Sequence, residues 1–214
     1  MDAEKVLEQV AREVTTCQRC GLHHSRKRAV PGEGPANAEI MFIGEGPGFY
    51  ENEQGRPFVG AAGKFLDELL TGIGMKREQV FIGNVVKCRP PGNRDPQPEE
   101  IEACVSNYLE RQIQAINPKV IVTLGRFSMG LFLRDAKIST VHGQSMWVKG
   151  RLIVPMYHPA AALHQQSLRP ELVKDFARLP DLIARAMPAS QEKISEQKPV
   201  EEQPKKDPKQ LTLF

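Results

Sequence analysis

The chain has 214 residues, 40% of them hydrophobic and 26% charged, which is the composition of one ordinary globular domain. No run of 18 apolar residues occurs, which excludes a membrane-spanning helix, and the acidic start Met1-Asp2-Ala3-Glu4 is unlike a secretory signal. The net charge of +3 permits contact with nucleic acid without demanding it.

In chain order, a first helix is expected over Glu4–Val14 and a first strand over Glu39–Gly44. A helix over Gly63–Leu70 follows, then a strand over Val80–Val86. Pro98–Ile116 reads as a helix whose Glu99 and Glu100 suit its N-terminus. A strand over Lys119–Leu124, a helix over Phe127–Leu133, a strand over Arg151–Met156 and a helix over Leu172–Ala186 complete the series. Strands alternating with helices predict an α/β fold in which a parallel sheet is covered on both faces. Ligands of such sheets bind beyond the C-terminal strand ends, so chemistry is sought there. After Met187 the composition changes. Residues 188–209 are mostly Pro, Gln, Glu and Lys with no aromatic, and read as a disordered linker after a domain over 1–187. Five Lys balance four Glu and one Asp in Pro188–Phe214, so the whole +3 belongs to the domain.

Behind the first strand stands Gly44-Glu45-Gly46-Pro47-Gly48, followed by Glu51 and by Gly55-Arg56-Pro57-Phe58-Val59-Gly60. The glycines allow a ligand close to the backbone. Pro47 breaks a dinucleotide fingerprint, and no Gly-Lys-Ser/Thr of a phosphate loop follows. Asn84 interrupts the apolar run of the second strand, and its carboxamide offers the donor and acceptor needed to read a base edge. Lys87, Arg89 and Arg94 follow it and are candidates for phosphate contact. His158 follows the fourth strand and is held extended by Pro159. Cys17-x-x-Cys20, Cys88 and Cys104 are four cysteines in a chain expected in the cytoplasm, where disulfides are rare. Their irregular spacing suits an iron–sulfur cluster at least as well as zinc.

These motifs, together with Asn84-Val85-Val86-Lys87-Cys88-Arg89-Pro90-Pro91 and His158-Pro159-Ala160-Ala161, resemble the family 4 uracil-DNA glycosylases over about residues 5–187. That is the iron–sulfur branch of the uracil glycosylase superfamily. Asn52 departs from the pattern, since many members carry Asp there. The resemblance implies a three-layer α/β/α fold with a four-stranded parallel sheet. It implies hydrolysis of the N-glycosidic bond of deoxyuridine flipped out of DNA, which releases uracil and leaves an abasic site in base excision repair. Phe58 would stack on the base, Asn84 would bond its edge, and Glu45, Gly46 and Pro47 would help hold it. His158 would stabilise charge growing on uracil O2, and Glu45 or Glu51 would orient the water. Cys17, Cys20, Cys88 and Cys104 would hold a 4Fe–4S cluster that pins the basic loop. Lys87, Arg89 and Arg94 would meet DNA, and Leu163, in a probing loop over Ala160–Arg169, would wedge into the duplex. The alternative is a superfamily member that binds uracil-DNA without turnover or covalently. The protein is expected to be a monomer, cytoplasmic and associated with the nucleoid of a prokaryote. Residues 210–214 carry Gln210, Leu211, Leu213 and Phe214, which resemble the peptide by which bacterial DNA-processing proteins dock on the sliding clamp.

Overall fold

The computed structural model describes residues 2–186. Three strands, β1 (Ile40–Gly44), β2 (Phe81–Asn84) and β3 (Val120–Leu124), are buried along their whole length. Near-continuous apolar strands of this kind are what a sheet covered on both faces requires. With β4 (Met146–Val148) and β5 (Arg151–Met156) they form one sheet in the order β2-β1-β3-β5-β4. All pairings are parallel except β4 with β5, where Trp147 faces Leu152. The expected four-stranded parallel sheet is therefore present, with a fifth, antiparallel strand added at its edge. Three residues around an exposed Trp147 carry too little alternation to be read from sequence.

The pleat divides the core. Ile40, Phe42, Val120, Val122, Leu124, Leu152, Val154 and Met156 face one layer. That layer holds α3 (Ala61–Gly72), α8 (Pro159–His164), α9 (Leu168–Ala177) and α10 (Leu179–Arg185). Met41, Ile43, Ile121 and Ile153 face the other, which holds α1 (Ala3–Thr16), α4 (Pro98–Cys104) and α5 (Glu110–Ile116). Phe42 is fully buried and stacks on Phe176 at 5.8 Å. Truncating such a ring to Ala costs about 3–5 kcal/mol.

The expected helix over Pro98–Ile116 is one helical stretch with a π-turn at Val105–Leu109 between α4 and α5. Gln97 and Glu100 cap its start, the Gln97 N–H donating to Glu100 at 2.8 Å. The expected last helix begins earlier, at Leu168, and breaks where Pro180 opens α10. Three short helices escape sequence reading: α2 (Phe49–Gln54), α7 (Ile138–Val141) and α8, while α6 (Arg126–Gly130) is shorter than expected. Among the described residues, no helix is long and apolar enough to cross a membrane. The linker 188–209 and the peptide at 210–214 lie outside the described residues.

Candidate active site

A cleft of about 270 Å³ opens at the C-terminal ends of β1, β2 and β5. It gathers Glu45, Gly46, Pro47, Glu51, Phe58, Asn84, Arg94 and His158 from segments far apart in the chain, and adds Ala62, Asn93 and Ala160. Asn84, the last residue of β2, is 1% exposed, and its Oδ1 finds no hydrogen-bond partner among the described residues. Buried polar atoms are nearly always paired, so this one calls for an explanation. Its neighbour in register is Gly44 of β1. A Cβ on Gly44 would collide with the Asn84 carboxamide and come within 2.8 Å of the Phe58 ring. Only glycine leaves room for both side chains.

Phe58 is buried and holds a left-handed backbone, φ 51°, which costs energy in a residue with a Cβ. The neighbourhood imposes it. Arg77 donates to the Phe58 carbonyl at 3.1 Å and also to the Pro57 carbonyl. Gly63 of α3 lies directly beneath, where a Cβ would overlap the Phe58 carbonyl. Arg77 was not foreseen, because nothing in the sequence ties a residue 19 positions onward to Phe58.

His158 lies against Phe58, ring centres 5.5 Å apart. Its Nδ1 accepts the Ala160 N–H at 3.1 Å. A ring nitrogen that accepts cannot carry the proton, so the neutral ring has its hydrogen on Nε2. Burial pushes its pKa down to about 4, and the Glu51 carboxylate offsets this only in part. Gly125, φ 91°, backs the ring, and a Cβ there would stand 3.2 Å from that of His158.

The two acids differ. Glu51 accepts from the Val59 and Gly60 N–H groups at 2.8 and 2.9 Å, which ties α2 to the start of α3. Glu45 makes no side-chain hydrogen bond among the described residues, and burial raises its carboxyl above the usual range, with Asp95 adding to the effect. Asn52 is buried and accepts the Lys27 N–H at 3.0 Å, so this position braces the loop through an amide.

The expected DNA contacts separate. Lys87 is not at the surface: it is 1% exposed, and its ammonium donates to the Asn84 carbonyl at 2.8 Å and to Gln112 at 2.7 Å. It cannot reach a phosphate. Its four-carbon stem follows a strand and is drawn inward, which a count of basic residues does not reveal. Arg94 faces the cleft but forks onto buried Glu100 at 2.7 and 2.9 Å. Arg89 is half-buried, bonded to Asn93 at 2.7 Å. Leu163 is exposed, yet it sits on helix α8 and not on the loop expected over Ala160–Arg169.

Cys17, Cys20, Cys88 and Cys104 line one cavity between α1, the loop after β2 and α4, together with Arg26, Lys87 and Tyr108. None is in a disulfide. Arg26 donates to Cys88 Sγ at 3.5 Å and to the Cys17 carbonyl at 2.8 Å, and the Arg19 N–H meets Cys17 Sγ at 3.5 Å. Burial raises the thiols of Cys20 and Cys88, and pushes that of Cys104 to about 11. Among the described residues no three such side chains are close enough to share a single ion.

Residues 31–179 match the Uracil DNA glycosylase superfamily. The chain is 47% identical over 191 residues to a type-4 uracil-DNA glycosylase of Archaeoglobus fulgidus, covering 85% of this chain and 96% of that one. It is 50% identical over 186 residues to one from Sulfurisphaera tokodaii (82% and 84% covered) and 44% over 185 residues to one from Thermotoga maritima (84% and 96%). The chain belongs to the type-4 uracil-DNA glycosylase family. Its four cysteines fit the iron–sulfur cluster that the resemblance implies. Four sulfurs from three separate segments line one cavity, two of them already receive N–H donors, and the Lys87 and Arg26 cations stand beside them to balance thiolate charge. In this type-4 glycosylase the cleft and the cysteine cavity are joined by five residues, Asn84 to Cys88.

Proposed function

We propose that this protein removes uracil from DNA, hydrolysing the N-glycosidic bond of a nucleotide flipped into the cleft. The observation that carries the reading is the buried Asn84 Oδ1, which has no hydrogen-bond partner among the described residues, beside Phe58 and His158. Uracil supplies what it lacks: N3–H donates to Oδ1, and O4 accepts from the amide nitrogen. Cytosine has a bare N3 and an amino group at C4, and mismatches both. Phe58 covers the base, and the Glu45-Gly46-Pro47 backbone borders it.

As the C1′–N1 bond breaks, its electron pair passes to the base and negative charge grows on O2. The neutral His158, its tautomer fixed by the Ala160 N–H, donates from Nε2 to that oxygen. A donor already aimed at developing charge is worth about 10²–10³ in rate. Water adds to C1′ and loses a proton. Glu45, whose carboxylate makes no hydrogen bond among the described residues and whose pKa is raised, suits that proton, whereas Glu51 serves as a brace. Incubation with a uracil-containing oligonucleotide, followed by alkaline cleavage, tests the reading. Strand scission at uracil and not at cytosine is expected. Tight binding without scission would favour the non-catalytic alternative.

We further infer that Cys17, Cys20, Cys88 and Cys104 hold a 4Fe–4S cluster, which would cross-link the N-terminal segment to the loop behind Asn84. Anaerobically purified protein should carry about four irons per chain; zinc in their place would overturn the assignment. The residue pattern Gln210, Leu211, Leu213, Phe214 supports docking on a sliding clamp, with 188–209 as tether and 1–187 as a monomeric catalytic domain at the nucleoid. Replacing Leu213 and Phe214 by Ala should abolish capture by a bacterial clamp and leave excision on short oligonucleotides intact; capture that persists would refute it.

A further inference from the structure

We propose that Phe49 and Tyr50 form a stacking platform at the cleft mouth for unpaired bases of the uracil-bearing strand, next to the flipped nucleotide. The platform rests on the excision reading above, which gives the cleft its nucleotide. Phe49 and Tyr50 are 52% and 58% exposed, unusual for two consecutive large apolar residues. They open α2 between Gly48 and Glu51, both of which line the cleft. They meet edge to face at 5.4 Å, 85° between planes, so each braces the other.

The ground beneath them is fixed. Glu51 ties α2 to the amides of Val59 and Gly60, and buried Asn52 ties it to Lys27. Tyr50 packs beside Gly60, where even a Cβ would make only an ordinary contact with the ring at 3.4 Å. Arg89 holds its guanidinium 5.3 Å from the Phe49 ring centre, steadied by Asn93. Two rigid, half-exposed rings with a cation beside them match a nucleic-acid strand, which alternates flat π-faces with phosphates. A protein partner would call for a continuous apolar patch, and the rings are flanked instead by Gly48, Glu51 and Arg89. Duplex DNA keeps the neighbouring bases stacked on each other. A single strand leaves them free to settle on the rings, so the platform favours unpaired substrate.

The test compares wild type, Phe49→Ala/Tyr50→Ala and the ring-keeping Phe49→Tyr/Tyr50→Phe. On single-stranded uracil oligonucleotide the double alanine variant should raise KM roughly tenfold, as loss of a stacked base does, with kcat unchanged. The rise on duplex should be clearly smaller, and the ring-keeping variant should match wild type. A second arm does not depend on turnover. A single strand with 2-aminopurine beside the uracil is titrated with each protein, and wild type should change the probe's fluorescence where the alanine variant does not. Absence of scission by wild type would overturn the excision reading, while this titration would still decide the platform. An equal KM and equal fluorescence change in wild type and alanine variant would overturn the platform. Half-exposed rings predict equal thermal midpoints; should the double variant unfold, Phe49→Ser and Tyr50→Ser singly should each show part of the loss, and no loss in either refutes the proposal.

Discussion

The cleft and the cysteine cavity share one short stretch of backbone, Asn84 to Cys88, and treat buried polar groups in opposite ways. In the cleft, Asn84 Oδ1 has no partner among the described residues, His158 is kept neutral by burial, and Glu45 is raised with no side-chain hydrogen bond from them to relieve it. Three residues on, the Lys87 ammonium has two acceptors, Asn84 O and Gln112 Oε1, and Gln112 in turn donates to the Pro31 carbonyl at 2.8 Å. An unpaired buried group costs about 1–3 kcal/mol. The region that tolerates this cost is the one a ligand completes. At Lys87, on the wall of the cysteine cavity, the chain itself supplies the partners.

The contrast breaks most visibly if the cleft residues prove structural. His158→Ala is expected to lower kcat about 10²–10³-fold with little change in thermal midpoint, because the lost ring was desolvated without full compensation. Asn84→Asp should weaken discrimination for uracil, since a carboxylate cannot donate to O4. Single-turnover excision and thermal unfolding of both variants check this. Full rates, or a collapse of the fold with the rate, would erase the distinction between the regions.

Lys87 supplies the converse. Lys87→Met keeps the stem and removes the donor, leaving the Asn84 carbonyl and Gln112 Oε1 without it. Stability in urea should fall by about 1–3 kcal/mol, with kcat of the folded fraction close to wild type. A large kcat loss at unchanged stability would move Lys87 into the catalytic machinery.

The acid side sharpens the same comparison. Folding holds His158 neutral, its pKa moved from 6.5 to about 4. Stability from this group is therefore fully present above 6.5 and is lost as pH falls from there toward 4. Activity should show no inflection in the ordinary imidazole range. Its acid limb should belong to Glu45, whose carboxyl titrates above the usual carboxylate range, and Glu45→Gln should flatten that limb at a low residual rate. A pH profile of kcat/KM for wild type and Glu45→Gln reads both. An inflection near 6.5 that disappears in a His158 variant would contradict the neutral ring.

Much of this is legible in the sequence. The strands at Ile40, Phe81, Val120 and Arg151 announce themselves as short apolar runs, three of them ended by Gly, Asn or His, and the topology brings the residues behind them together. Asn84 stood out because it is polar where a buried strand should not be. Three things were hidden. The helices α2 and α8 have six residues each, too few for a helical period to show. The brace at Phe58 comes from Arg77, whose role depends on tertiary approach. The fate of Lys87, Arg89 and Arg94 depends on where each stem points, and basic composition is blind to that.

The smallest expected effect concerns those three cations. A side chain that neutralises a phosphate releases a counterion, so removing it lowers the slope of log affinity against log salt by about one. Arg89 is half-buried, and among the described residues its guanidinium is bonded only to a neutral amide and an aromatic face, so its charge is available. Arg94 is already matched by Glu100 in a two-pronged pair, and Lys87 is enclosed. Arg89→Ala should therefore reduce the slope by about one. Arg94→Ala should reduce it less, and Lys87→Met not at all, although that variant is the least stable of the three. Binding to a uracil-free oligonucleotide at several salt concentrations, on folded protein, separates the cases. A slope that falls with Lys87→Met would mean that its ammonium leaves Gln112 for DNA, and the contrast between the saturated Lys87 site and the open cleft would fail.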